Sequence, residues 1–119
     1  MTSKVTFSPL ALVQLDYLWD YGFKRFGVNQ ADKYLDGLFD ALEELESTGA
    51  FQGTRPRLLP RELIDDITSE RILFFRYENE VIYFRTLREG GLRVVSILGM
   101  RMDTPNRIRE MIVNPLSDV

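Results

Sequence analysis

Apolar residues recur at helical spacing along the first half of the chain and alternate in twos along the second. Residues 3–7, Ser-Lys-Val-Thr-Phe, predict a short strand with Val5 and Phe7 on one face. Ser8-Pro9 ends it: serine is a good N-cap, and proline at the first helical position gives up an N–H that has no partner there. The spacing predicts a helix from about 9 to 26, with Leu12, Leu15, Trp19, Phe23 and Phe26 on its apolar face and Asp16 and Asp20 opposite. Gly27 is placed to end it in a left-handed cap. Asn29 is expected to cap a second helix, in which Ala31, Leu35, Leu38, Leu42 and Leu45 step by fours and threes. Asp32, Asp36, Asp40, Glu43 and Glu46 take its outward positions, and Gly49 follows as the C-cap glycine. So short a link makes the two helices an antiparallel hairpin.

Residues 50–61 hold one glycine and two prolines and read as an irregular connector. Residues 62–70 fit either a helical turn or an edge strand. From Arg71 the period is two. Arg71–Tyr77, Val81–Leu87 and Leu92–Leu98 read as three strands joined by turns at Glu78-Asn79-Glu80 and Glu89-Gly90-Gly91. The tail, 104–119, leaves room for a short helix from Thr104 to about Val113. The expected fold is α+β in the order β-α-α-β-β-β. The helical hairpin packs on one face of a small, mainly antiparallel sheet, and a single domain spans residues 1–119. The other sheet face is expected to stay partly open and to carry aromatics and arginines together.

Composition narrows the chemistry. The chain has no cysteine and no histidine, which excludes disulfides, thiolate metal sites, cysteine nucleophiles and serine–histidine catalysis. No cofactor and no metal are implied. No apolar run approaches the roughly 20 residues a membrane helix needs, and the N-terminus lacks a signal-peptide pattern, so the expected location is the cytoplasm. The net charge is −3, which disfavours strong, sequence-blind nucleic-acid binding. That charge is unevenly spread. Residues 1–50 hold four basic and eight acidic groups, whereas residues 71–109 hold eight arginines against four acids. Arginine forks onto carboxylates and phosphates with fixed geometry, so the C-terminal half suits an acidic partner or an anion.

Four stretches carry a family resemblance: Phe7-Ser8-Pro9-Leu10-Ala11 leading into Leu15-Asp16-Tyr17-Leu18; Gly27 and Asn29-Gln30-Ala31 with Tyr34, Leu38, Leu42 and Leu45; Arg71-Ile72 with Phe75-Arg76-Tyr77; and Val94-Val95-Ser96-Ile97-Leu98 followed by Arg101-Met102-Asp103. In this order the chain resembles toxins of the RelE/ParE superfamily of bacterial type II toxin–antitoxin systems, the ParE branch most closely. It departs from many relatives in lacking a histidine near Gly99-Met100 and in being acidic overall. The resemblance implies a stress-response toxin that poisons DNA gyrase by binding, not as an enzyme, and is neutralised by a ParD-like antitoxin. A homodimer or a hetero-oligomer with that antitoxin is compatible with it. Two alternatives stay open. One is a RelE-like, metal-independent endoribonuclease that cleaves mRNA on the ribosome, for which Tyr77, Tyr83, Arg76, Arg85, Arg93 and Arg101 would supply the side chains. The other is a non-toxic member acting as a protein-interaction module.

The candidate target-binding residues are Arg76, Arg85, Arg93, Arg101 and Tyr83. The plainer reading of the strand arginines is cross-strand pairing with Glu78, Glu80 or Glu89. Arg101 and Asp103 match the family's terminal motif, where Asp103 serves equally as a helix cap. The antitoxin needs an exposed apolar strip, for which Phe23, Phe26, Leu58 and Leu59 are the candidates. The row Asp32, Asp36, Asp40 is expected to be a solvated helix face.

Overall fold

The computed structural model describes residues 4–59 and 71–99. A strand β1 (Val5–Phe7) leads into helix α1 (Pro9–Phe26) and helix α2 (Val28–Thr48). Then come β2 (Arg57–Leu58), β3 (Leu73–Tyr77), β4 (Glu80–Thr86) and β5 (Leu92–Gly99). The sheet order is β1-β5-β4-β3-β2; β1 runs parallel to β5 and every other pair is antiparallel. The α+β architecture expected from the sequence is therefore the one observed. The tail helix, Arg101, Asp103 and the 62–70 segment lie outside the described residues.

One residue joins the helices. The Gly27 N–H donates to the Phe23 carbonyl at 2.9 Å and its own carbonyl accepts from the Ala31 N–H at 3.1 Å, so it closes α1 and opens α2. Its φ of 93° and ψ of 171° need glycine, but this is an extended conformation and not the left-handed helical cap expected. Asn29 falls inside the first turn of α2, which has no side-chain cap. Gly49 does end α2 in the left-handed region, with φ 79° and ψ 8°.

The apolar face expected for α1 holds in part. Leu15 is buried as expected and Trp19 is half-buried, but Leu12, Phe23 and Phe26 are exposed and Ala11 is buried instead. Gly22 sits against Ala31, where an added Cβ would lie 3.6 Å away. Small residues let the two helices approach, and the bulky rings of α1 are left outside. In α2 the expected stripe is buried, with Leu38 and Leu42 wholly enclosed; Ala41 joins it and Leu35 is half-buried. These residues meet Phe75, Ile82, Phe84, Leu92, Val94 and Ile97 from the near face of the sheet.

Beyond Phe7 the chain turns into α1 while β5 runs on. Side chains then take over the pairing of β5. Ser8 Oγ accepts from the Ala11 N–H at 3.0 Å as the helix cap and donates to the Val95 carbonyl at 2.7 Å. Gln14 Oε1 accepts from the Ile97 N–H at 2.7 Å and from the Ser96 hydroxyl at 3.2 Å. Val95 is the extra residue of a bulge, since Tyr83 pairs with Ser96 but Phe84 with Val94.

Candidate arginine face

The far face of the sheet is set by alternation along the strands. Across β3 and β4, Phe74 pairs with Tyr83 and Arg76 with Val81; across β4 and β5, Arg85 pairs with Arg93. The three strand arginines therefore share one face, the one turned away from the hairpin. They do not form one cluster. Arg85 and Arg93 are neighbours at one end of β4, and Arg76 lies toward the other end, about 13 Å along the strand by residue count. Arg85 and Arg93 are half-buried and both engaged in interactions, while Arg76 is exposed and donates from Nε to the Glu78 carbonyl at 3.0 Å.

The middle of this face is not open. Tyr83 is 2% exposed, held in a second cluster with Leu59, Ile72, Val95 and Leu98. Phe74, Val81 and Leu10 pack against it. Two expectations change accordingly. Tyr83 stands in packing contact and offers no surface ring to a target. Leu59, at 4% exposure, belongs to this cluster and leaves the expected apolar strip. The physical reason is that the far-face positions of the strands are themselves mostly apolar, so the face closes over a small core of its own. Phe23, Phe26 and Leu58 are exposed at 45%, 65% and 47%. Phe23 stacks on Trp19 with ring centres 5.2 Å apart, and the Trp19 indole N–H donates to Asp32 Oδ1 at 2.8 Å.

Two arginines went unnoticed in the sequence. Arg57 lies on β2 opposite Phe74, in the segment read as a connector. Carrying that register two residues further sets Arg55 across from Arg76, and all three arginines line one cleft of about 590 Å³ with Phe51, Phe74 and Val81. A two-residue strand leaves too short an alternation to be read. The arginine–x–arginine spacing beside Pro56 was the available signal.

Toward α2 the surface turns acidic, and a cleft shared by Arg76, Asp40, Glu44 and Glu78 joins it to the arginine cleft. Asp36 and Asp40 of α2 line a cleft with Tyr34, Tyr77 and Glu78. The Tyr34 hydroxyl donates to Glu80, and the Tyr77 hydroxyl donates to the Tyr34 carbonyl at 3.4 Å. Gly37 leaves the room that the Tyr77 hydroxyl occupies against α2. Half-burial raises the Glu80 carboxyl above its usual range; the Tyr34 hydrogen bond opposes this and Glu78 adds to it. Burial, followed by the Glu80 bond, likewise keeps the Tyr34 phenol protonated. This junction ties the β3–β4 turn to α2 and so fixes the backbone that carries Arg76. Among the described residues no cluster of acidic groups is arranged to hold a metal ion, and no helix is long and apolar enough to cross a membrane.

Comparison with known proteins agrees with this architecture. Residues 5–104 match the family described as the ParE toxin of the type II toxin–antitoxin system parDE. The chain is 26% identical over 110 residues to Toxin ParE1 of Mycobacterium tuberculosis strain CDC 1551 / Oshkosh, covering 91% of this chain and 100% of the relative. The same figures hold for Toxin ParE1 of strain ATCC 25618 / H37Rv. With most of its length inside the family match, and with the strand–hairpin–meander order in place, the chain belongs to the ParE toxin family of type II toxin–antitoxin systems.

Proposed function

We propose that this protein is a cytoplasmic toxin that poisons DNA gyrase by binding and is held silent by a ParD-like antitoxin. One observation carries the binding reading over the mRNA-cleaving one. The strand arginines share the far face, but neither tyrosine that would serve them as a proton donor is available there. Tyr83 is buried and Tyr77 is turned toward α2. A cleaving site needs a group that takes or gives a proton beside the scissile phosphate; a docking site needs only placed charge and shape. Arg76, Arg85 and Arg93, with Arg101 beyond the described residues, are the proposed target contacts. Phe23, Phe26 and Leu58 are the proposed antitoxin contacts, being large apolar side chains left exposed.

The test is a paired assay. Purified protein is added to a gyrase supercoiling and DNA-cleavage reaction and, separately, to a translation extract scored for cuts in codon register. Accumulated cleaved DNA with intact mRNA is the expected result. Cut mRNA with unaffected gyrase overturns the proposal in favour of ribosome-dependent cleavage.

A further inference from the structure

The cleft at the β2 corner has the composition of a small-ligand site, and Arg76 is the one residue it shares with the proposed target contacts. It is about 590 Å³, within the range of small-molecule pockets. Three guanidinium groups line it, from Arg55, Arg57 and Arg76. Among the described residues none of the three has a carboxylate at ion-pair distance, the ion pair found there being Lys24–Asp20. Arg76 donates from Nε to the Glu78 carbonyl and stands between this cleft and the neighbouring one lined by Asp40, Glu44 and Glu78. Arg55 and Arg57 are two residues apart, roughly 7 Å along an extended chain, and so fall within the span of a di- or triphosphate.

The rest of the lining is aromatic and apolar. Phe74 lies between Arg57 and Tyr83 in the sheet register, half-buried, with its ring centre 6.0 Å from that of the buried Tyr83. A half-exposed ring held by an aromatic neighbour on the same sheet face can serve as a stacking platform for a planar base. Phe51 closes the other wall, packed 5.7 Å from Phe75. Guanidinium forks match phosphate oxygens in pairs, and an aromatic shelf takes a ring. Anion donors and a stacking ring in one cleft describe a phosphorylated nucleoside more closely than an acidic peptide, which has no use for the shelf.

We infer that the Arg55–Arg57–Arg76 cleft binds a nucleoside polyphosphate, with the phosphates on the arginines and the base on Phe74. The inference does not depend on gyrase being the target, because it concerns a ligand of the isolated protein. It is also compatible with the net charge of −3. The cleft is one local concentration of guanidinium groups, not a basic track along which a long polyanion could lie.

The experiment is calorimetric titration of the full chain with ATP, adenosine, pyrophosphate, an octathymidylate strand and a Glu-rich octapeptide. Low salt, about 50 mM, keeps exposed charges from being screened out. Saturable ATP binding is expected at one site, at least tenfold tighter than adenosine and at least threefold tighter than pyrophosphate. The double variant Arg55→Ala/Arg57→Ala should weaken ATP binding at least tenfold with an unchanged melting temperature, since both side chains are exposed. Phe74→Leu should remove the preference for ATP over pyrophosphate; if it fails to fold, the adenosine and pyrophosphate arms still report the base. ATP bound more tightly than the strand is expected; a strand bound more tightly than ATP overturns the site, since the cleft would then be reading a chain of phosphodiesters and not a polyphosphate. Absent or non-saturable ATP binding, ATP binding undiminished in the double variant, or a peptide that competes as well as ATP overturns it.

Discussion

The two faces of the sheet are built from the same strands but do different jobs. The near face is roofed by the hairpin and has an apolar centre, with Glu80 and Tyr77 bonded to Tyr34 at one end; Leu38, Leu42, Ile82 and Val94 have no exposed surface at all. The far face holds a smaller cluster centred on Tyr83, Val95 and Leu98, and arginines stand at both of its ends. The near face therefore sets stability. The far face needs only enough apolar packing to keep the strands' outer residues in register, and its margins are free to carry charge. A toxin can change what it grips by changing those margins while its main core stays as it is.

The comparison can be broken most directly with matched truncations. Leu42→Ala on the near face should cost about 3–5 kcal/mol and Leu98→Ala on the far face about 2–3 kcal/mol, read from urea unfolding. Equal costs would mean the far cluster is no mere satellite. Ser8 joins the two regions, since it caps α1 and satisfies a carbonyl of the bulged strand. Ser8→Ala should cost about 1–3 kcal/mol, because a cap is lost and a buried carbonyl is left unpaired. A smaller loss in thermal unfolding would show that water replaces the hydroxyl.

Away from both faces, alanine at Phe23 and Phe26 together should weaken antitoxin binding at least tenfold, about 1.4 kcal/mol, with little change in melting temperature. Unchanged affinity would strike both from the contact surface. The smallest effect concerns Glu80, whose carboxyl titrates above its usual value near 4.5 because it is half-buried. A carboxyl raised in the folded state holds its proton more tightly there. Stability present below the unfolded value is lost as pH rises through the folded one. Glu80→Gln keeps an acceptor for the Tyr34 hydroxyl but removes this titration. Wild type should lose ground against it as pH rises from the usual glutamate value near 4.5; a difference that stays flat as pH rises would place the carboxylate in a more solvated setting.

Much of the architecture was legible because it rests on long periodic segments. The α2 stripe and the three meander strands stand close to where their spacing puts them. The apolar face of α1 was only partly legible: Leu15 is buried as its spacing predicts, but Leu12, Phe23 and Phe26 stand exposed while Ala11 is buried and Gly22 lies against Ala31. Hydrophobicity ranks side chains by what they gain from burial and says nothing about how near two backbones must come. The shared arginine face followed from strand alternation, but its closed centre did not. Nothing local to Tyr83 says that Leu59, from beyond a two-residue strand, will pack beside it. Arg55 and Arg57 joined Arg76 through a pairing that only the folded sheet shows.

The hydroxyl of Ser8 and the amide of Gln14 have a consequence for crowding in the cell. They occupy the hydrogen-bonding groups that β5 would otherwise present past the end of its three-residue neighbour. A border finished in side chains offers no template for a foreign strand. Strand addition is thereby discouraged along that stretch of β5, and the edge left on this flank is the three-residue β1.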